Sequence, residues 1–145
     1  MVNNTKLIFI SRIVIGIILI YAGFNKLSNP YDFASAIGNY HLLPYGLENL
    51  IAIIVPWIEI FSGIGLIIGI YVDGSALIAL GMFSIFIIAI ASAMLRGYNI
   101  ECGCGLKTGD MVGFDKIIEN VVYFALTWLI IRRNSKSLEI YPKSV

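Results

Sequence analysis

Residues 96–105, read RGYNIECGCG, concentrate the side chains able to do chemistry: the chain's two cysteines, Cys102 and Cys104, stand one glycine apart where a long apolar segment ends. Thiolates are nucleophiles and soft-metal ligands, so the pair points to thiol and disulfide exchange or to a metal contact. Two thiols separated by a single residue close only a small, strained ring, and strain makes such a bond a better oxidant and easier to exchange. Gly103 and Gly105 allow backbone angles that other residues resist. Arg96 and Lys107 favour a thiolate nearby, and Glu101 opposes it. Two alternatives stay open, a structural cysteine pair in a loop and a copper(I) contact through two thiolates. A closed zinc site is disfavoured, because it needs four ligands and His41 is the one histidine in the sequence.

The elements that must hold this segment are apolar. Of the 145 residues, 59% are hydrophobic and 13% charged, whereas soluble domains carry about a quarter charged residues. Mean hydropathy is +0.88. The chain therefore reads as one integral membrane domain over residues 1–145, with the lipid bilayer as its first partner. At roughly 20 residues per span there is room for three to five helices. A net charge of +1 gives no support for nucleic-acid binding.

Four spans fit best, over residues 7–24, 49–70, 75–95 and 112–131, followed by a polar tail, 132–145. The first could be taken for a signal peptide, but Arg12 interrupts it and no good cleavage site follows. Between the first and second spans, residues 25–48 are too polar to cross the bilayer. Pro30 suits the first position of a short helix, and Phe33, Ile37 and Tyr40 then share one face. The expected fold is all-α: a polytopic membrane four-helix bundle with an extra short interfacial helix between helices one and two. Ser62, Gly63, Gly65 and Gly69 give helix two a small side for close packing, and Asp73-Gly74 is expected to turn the chain into helix three.

Charges within the spans must face inward or be paired. At 1.5 Å per residue Arg12 lies roughly 8 Å and Glu59 about 16 Å from the same face, so the two are expected to form an interior polar cluster. Glu119 is either its third member or paired locally near the start of the last helix. With four helices, Lys6, Arg12, Arg132, Arg133, Lys136 and Lys143 share one side, against Lys26, Arg96, Lys107 and Lys116 on the other. Basic flanks stay in the cytoplasm. The expectation is a multi-pass protein of the cell (inner) membrane with cytoplasmic termini and the cysteine hairpin outside, where disulfides persist.

The runs RIVIGIILIYAGFNKL, YHLLP, VPWIEIFSGIGLIIG and RGYNIECGCG together resemble the DoxX-like superfamily and, within it, the MauE family of small four-helix membrane proteins. The likeness covers most of residues 7–131. It implies a redox-associated membrane protein working with an exported thioredoxin-like partner while disulfide-containing exported proteins mature. By position, Cys102 and Cys104 match the family's CGC pair, Arg96 and Gly97 the preceding RG, Arg12 the arginine of the first helix, and Glu59 the acidic residue after PW. The chain departs from the family where Gly105-Leu106 follows Cys104 and where Ile118-Glu119-Asn120 replaces a common arginine-asparagine pair. Cys102 and Cys104 are thus the expected exchanging pair, supported by Gly103, Arg96, Glu59, Arg12 and Glu119. No motif assigns a metal or a cofactor, and a quinone is one electron acceptor compatible with such a pair. The contrasting reading is a non-catalytic scaffold or chaperone that holds a client or a soft metal.

Overall fold

A computed structural model of the protein describes residues 5–103, 111–133 and 139–140. Its regular elements are five helices: α1 (Thr5–Ser28), α2 (Pro30–Asn39), α3 (Leu47–Ile68), α4 (Val72–Leu95) and α5 (Phe114–Ile131). Three of them, α1, α3 and α4, are long and apolar enough to cross a membrane. Their outward faces carry large apolar side chains that a water-soluble surface would not tolerate in such number, among them Phe24, Phe61, Leu77, Ile85 and Ile88. The 18 residues of α5 hold Asp115, Lys116 and Glu119 within the first two turns. They leave α5 outside that set, although it packs on α4 and α1.

The first helix is longer than its uninterrupted apolar run, because Asn25, Lys26 and Ser28 continue it to the residue before Asn29-Pro30. Its buried stripe, Arg12, Ile15, Leu19, Ala22 and Lys26, recurs at helical spacing. α1 is an integral part of the core, where Ile15 and Leu19 meet Leu66, Val72, Ala76, Ala79, Phe83 and Ile130. The approach of α1 to α3 is set by glycine. A Cβ on Gly16 would stand 2.9 Å from the Gly63 carbonyl oxygen, one on Gly63 2.6 Å from that of Gly16, and one on Gly23 2.7 Å from that of Pro56. Of the small side expected of helix two, Gly63 packs on α1, whereas Gly65 faces Ser75 of α4 and Gly69 ends the helix.

Pro30 opens α2 at its first turn, with Asp32 favourably placed there. The helix buries Phe33, Ala34 and Ala36 against α3, where Phe33 and Ala34 form a small apolar cluster with Ala52. The α3–α4 turn differs from expectation. Gly69, at φ +88°, closes α3, the Gly69 and Ile70 amides both donate to the Gly65 carbonyl, and Tyr71 at φ +49° leads into α4. The turn is thus residues 69–71, and Asp73-Gly74 lies inside the first turn of α4, where an acidic residue complements the helix dipole.

The polar tail also returns to the bundle. Arg133 pairs with Glu139 and with Asp73, and the Ile140 amide donates to the Gly69 carbonyl at 2.9 Å. The ends of α5 and α3 and the start of α4 therefore meet at one end. The opposite end holds α2 and the loop that follows α4.

Candidate functional site

The loop after α4 is built by hydrogen bonds before it reaches the cysteines. Gly97, at φ +71°, lets the chain leave the helix, with the Gly97 amide on Met94 and the Tyr98 amide on Ala93. Glu101 and Met111 then pair as an isolated antiparallel bridge, and the Val112 amide donates to the Ile100 carbonyl at 2.9 Å. Cys102 sits at the neck of this hairpin, 1% exposed and disulfide-bonded. Cys104, Gly105 and Lys107 lie outside the described residues.

α2 fixes the neck. The Tyr40 hydroxyl donates to the Cys102 carbonyl at 2.6 Å. Burial pushes the Tyr40 phenol up to about 12, which keeps it a donor across the physiological range. Gly103 is left-handed, at φ +64°, and a Cβ there would come 3.2 Å from the Cβ of Ala36 and 3.6 Å from the Phe33 ring. Glycine is thus required both by the backbone angle and by the closeness of α2. Arg96 reaches the Tyr40 carbonyl at 3.5 Å, so it braces the same corner. His41 packs edge-on against Tyr98. Tyr40 was legible in the sequence only as one apolar position on a helix face; nothing there signalled its bond to the cysteine loop.

Behind this corner lies a buried ion pair that sequence reasoning assigned differently. Lys26 Nζ donates to Glu59 Oε1 at 2.6 Å, with the two side chains 3% and 2% exposed. The same ammonium stands 5.2 Å from the centroids of both Phe33 and Phe86. Arg12, the expected partner of Glu59, instead donates through Nε to the Leu66 carbonyl and lies within the electrostatic reach of Glu139 and Arg133. Glu119 is satisfied on its own helix, by Lys116 at 3.0 Å and the Tyr123 hydroxyl at 2.7 Å. An interior cluster of Arg12, Glu59 and Glu119 therefore does not form. Lys26 was detectable as the continuation of the Arg12, Ile15, Leu19, Ala22 stripe.

An apolar cavity of about 420 Å³ opens between α2, α3 and α4, and Cys102 and Gly103 form part of its wall. Phe33 and Phe86, the rings beneath Lys26, line it as well. Among the described residues, no group of three or more His, Cys, Asp or Glu side chains is placed to hold a metal ion.

Three apolar helices with lipid-like outer faces and a buried ion pair define a helical integral membrane protein. Residues 4–133 match the family model described as methylamine utilisation protein MauE, and the chain belongs to that family. It is similar to the methylamine utilization protein MauE of Methylophilus methylotrophus, 31% identical over 112 residues, which are 77% of this chain and 59% of that protein. The protein of the same name from Paracoccus denitrificans is 28% identical over 123 residues, 82% of this chain and 65% of that protein. The one from Methylorubrum extorquens is 29% identical over 120 residues, 82% of this chain and 58% of that protein. The chain thus spans about three-fifths of the length of these curated relatives. No solved structure matches it.

Proposed function

We propose that the protein exchanges thiol and disulfide equivalents through Cys102 and Cys104 with an exported thioredoxin-like partner, during maturation of exported disulfide-containing proteins. The relatives are named for methylamine utilisation, and we read the chain as serving that process. The observation that carries the reading is the state and setting of Cys102, disulfide-bonded and enclosed at a corner braced by Tyr40 and Gly103. With 1% exposure Cys102 is the enclosed member of the pair, so in this reading an incoming thiolate attacks the sulfur of Cys104. The Cys102 thiolate leaves, and a second partner thiol then releases Cys104.

In this reading α5 joins α1, α3 and α4 as a fourth span, and α2 lies in the interface. The termini are cytoplasmic, following the basic residues, and the cysteine loop is extracytoplasmic. That the tail, the α3–α4 turn and Arg12 gather at one end, with α2 and Cys102 at the other, supports such an arrangement. The test is trapping in cells. Cys102→Ser leaves Cys104 as a lone thiol that can attack the disulfide of an oxidised thioredoxin-like protein but cannot be displaced by Cys102, so a reducible covalent complex should accumulate. Cys104→Ser should accumulate none. Wild-type client oxidation in both variants would refute the mechanism and favour a scaffold.

A further inference from the structure

The cavity beside Cys102 has walls that restrict its occupant. It measures about 420 Å³, within the roughly 300–1,000 Å³ of small-molecule sites. α2 contributes Phe33, Ile37 and Tyr40, while Val55 of α3 and Met82 and Ala89 of α4 form the sides. The one hydroxyl among these side chains, on Tyr40, already donates to the Cys102 carbonyl. A water molecule needs about two to four polar partners to settle in such a space, and a polar solute would lose its hydration with nothing in return. The occupant that suits these walls is a hydrocarbon.

The mouth fixes where that hydrocarbon comes from. Ile85 is part of the wall and is also 67% exposed. It lies ten residues before the end of α4 at Leu95, about 15 Å along the axis. That depth is half of the roughly 30 Å hydrocarbon layer, so the opening faces lipid tails rather than headgroups or water. From Met82 to Ala89 the lining follows α4 for about 10 Å, which suits an extended chain lying along the helices. The outward faces of α3 and α4, with Phe61 and Leu77 exposed, continue the same apolar surface outside the cavity. A lipid tail therefore enters without leaving apolar surroundings.

We propose that this cavity is a binding site for one acyl chain of a membrane phospholipid, drawn in between α3 and α4 and packed against Cys102 and Gly103. Moving a tail from bilayer to protein removes no apolar surface from water, so the gain is close contact on all sides of the chain. Among the described residues no charged side chain lines the cavity, so the headgroup stays outside the rim. The chain rests on the same two residues that α2 holds through Tyr40 and Ala36, which makes lipid part of the seat of the cysteine loop. The assignment requires no redox activity and is independent of the exchange reading.

The experiment places the full chain, one copy per phosphatidylcholine nanodisc, with a fraction of the lipid carrying a diazirine midway along one acyl chain. After irradiation, adducts are counted residue by residue by mass spectrometry. Met82, partly buried on the cavity wall, should be labelled at least about tenfold above Leu66, which is enclosed in the core. Phe61 and Leu77, on outward faces, report contact with the surrounding lipid. Val55→Phe and Ala89→Phe, which fill the cavity from α3 and from α4, should each bring Met82 down toward the Leu66 level and leave Phe61 and Leu77 unchanged. Labelling of Met82 no higher than that of Leu66 in the unmutated protein overturns the proposal without reference to any variant. So does an unchanged ratio of Met82 to Phe61 in both variants, which would reduce the Met82 signal to contact with surface lipid alone.

Discussion

Replacing Glu59 by Leu should strongly destabilise the bundle while leaving the cysteine loop's own contacts intact. The Lys26–Glu59 contact is 2.6 Å, with side chains 3% and 2% exposed. Among the described residues Glu59 Oε2 has no hydrogen-bond partner, so the carboxylate depends on this single contact. Removing one member strands a charge where water cannot reach it, a loss of about 3–5 kcal/mol for buried pairs. Lys26→Met should lie in the same range, because it strands the carboxylate instead. The double variant, with two apolar side chains of similar volume, should fall within about 1–2 kcal/mol of wild type. Glu59→Gln keeps the size and an acceptor oxygen and should be milder than Glu59→Leu. The assay is reversible unfolding in mixed micelles on addition of SDS, followed by helical circular dichroism. A Glu59→Leu protein within about 1 kcal/mol of wild type, or a double variant as unstable as the two singles combined, would refute the reasoning.

At Gly103, a side chain must accept φ +64° and approach the Cβ of Ala36 at 3.2 Å. The left-handed angle alone costs about 1–2 kcal/mol, so Gly103→Val should lower the disulfide's equilibrium constant by roughly tenfold or more in a glutathione titration, with both thiols still present. At Tyr40, the phenol titrates at about 12 in the folded protein against 10.0 unfolded. The unfolded chain loses this proton first, so the contribution of Tyr40 to stability is complete below pH 10 and disappears as pH rises to about 12. Thermal unfolding should show that alkaline loss in wild type and a smaller one in Tyr40→Phe. The same variant should be weaker at neutral pH by about 1–3 kcal/mol, because the Cys102 carbonyl is left buried without its donor.

Composition and periodicity were enough to read the all-α class, the apolar helices α1, α3 and α4, and α2 with Pro30 at its start. They were not enough to read the register between α1 and α3, and the ion pair turns on it. Gly16 meets Gly63 and Gly23 meets Pro56, seven residues forward on one helix against seven back on the other. In that antiparallel register Arg12, four residues before Gly16, faces the turn after Gly63, where it meets the Leu66 carbonyl. Glu59 faces the later half of α1. Lys26 belongs to that half, and a helical side chain leans toward the helix N-terminus, so its long stem reaches back to the carboxylate. Counting rise from the bilayer face placed Arg12 and Glu59 close in depth. It could not supply the register that decides which side chains touch, and stopping helix one at Phe24 removed Lys26 from consideration.

That register also sorts the charges by task. Arg12 and Lys26 are fourteen residues apart on α1, about 21 Å along the axis, with the apolar residues Ile15, Leu19 and Leu66 between them. At one end Arg133 ties α5 to Asp73 at the start of α4 and to Glu139 in the tail; this is a clamp on helix ends, at the opposite end of the bundle from Cys102. At the other end Lys26 and Glu59 stand behind Phe33, whose ring also meets Gly103. A change in the charge pair can therefore reach the cysteine loop through one aromatic side chain. A change in the Arg133 clamp must pass through the length of the bundle. If Glu59→Leu shifts the redox equilibrium of the cysteine pair and Asp73→Asn leaves it unchanged, the two polar sites act separately, as their placement on α1 requires.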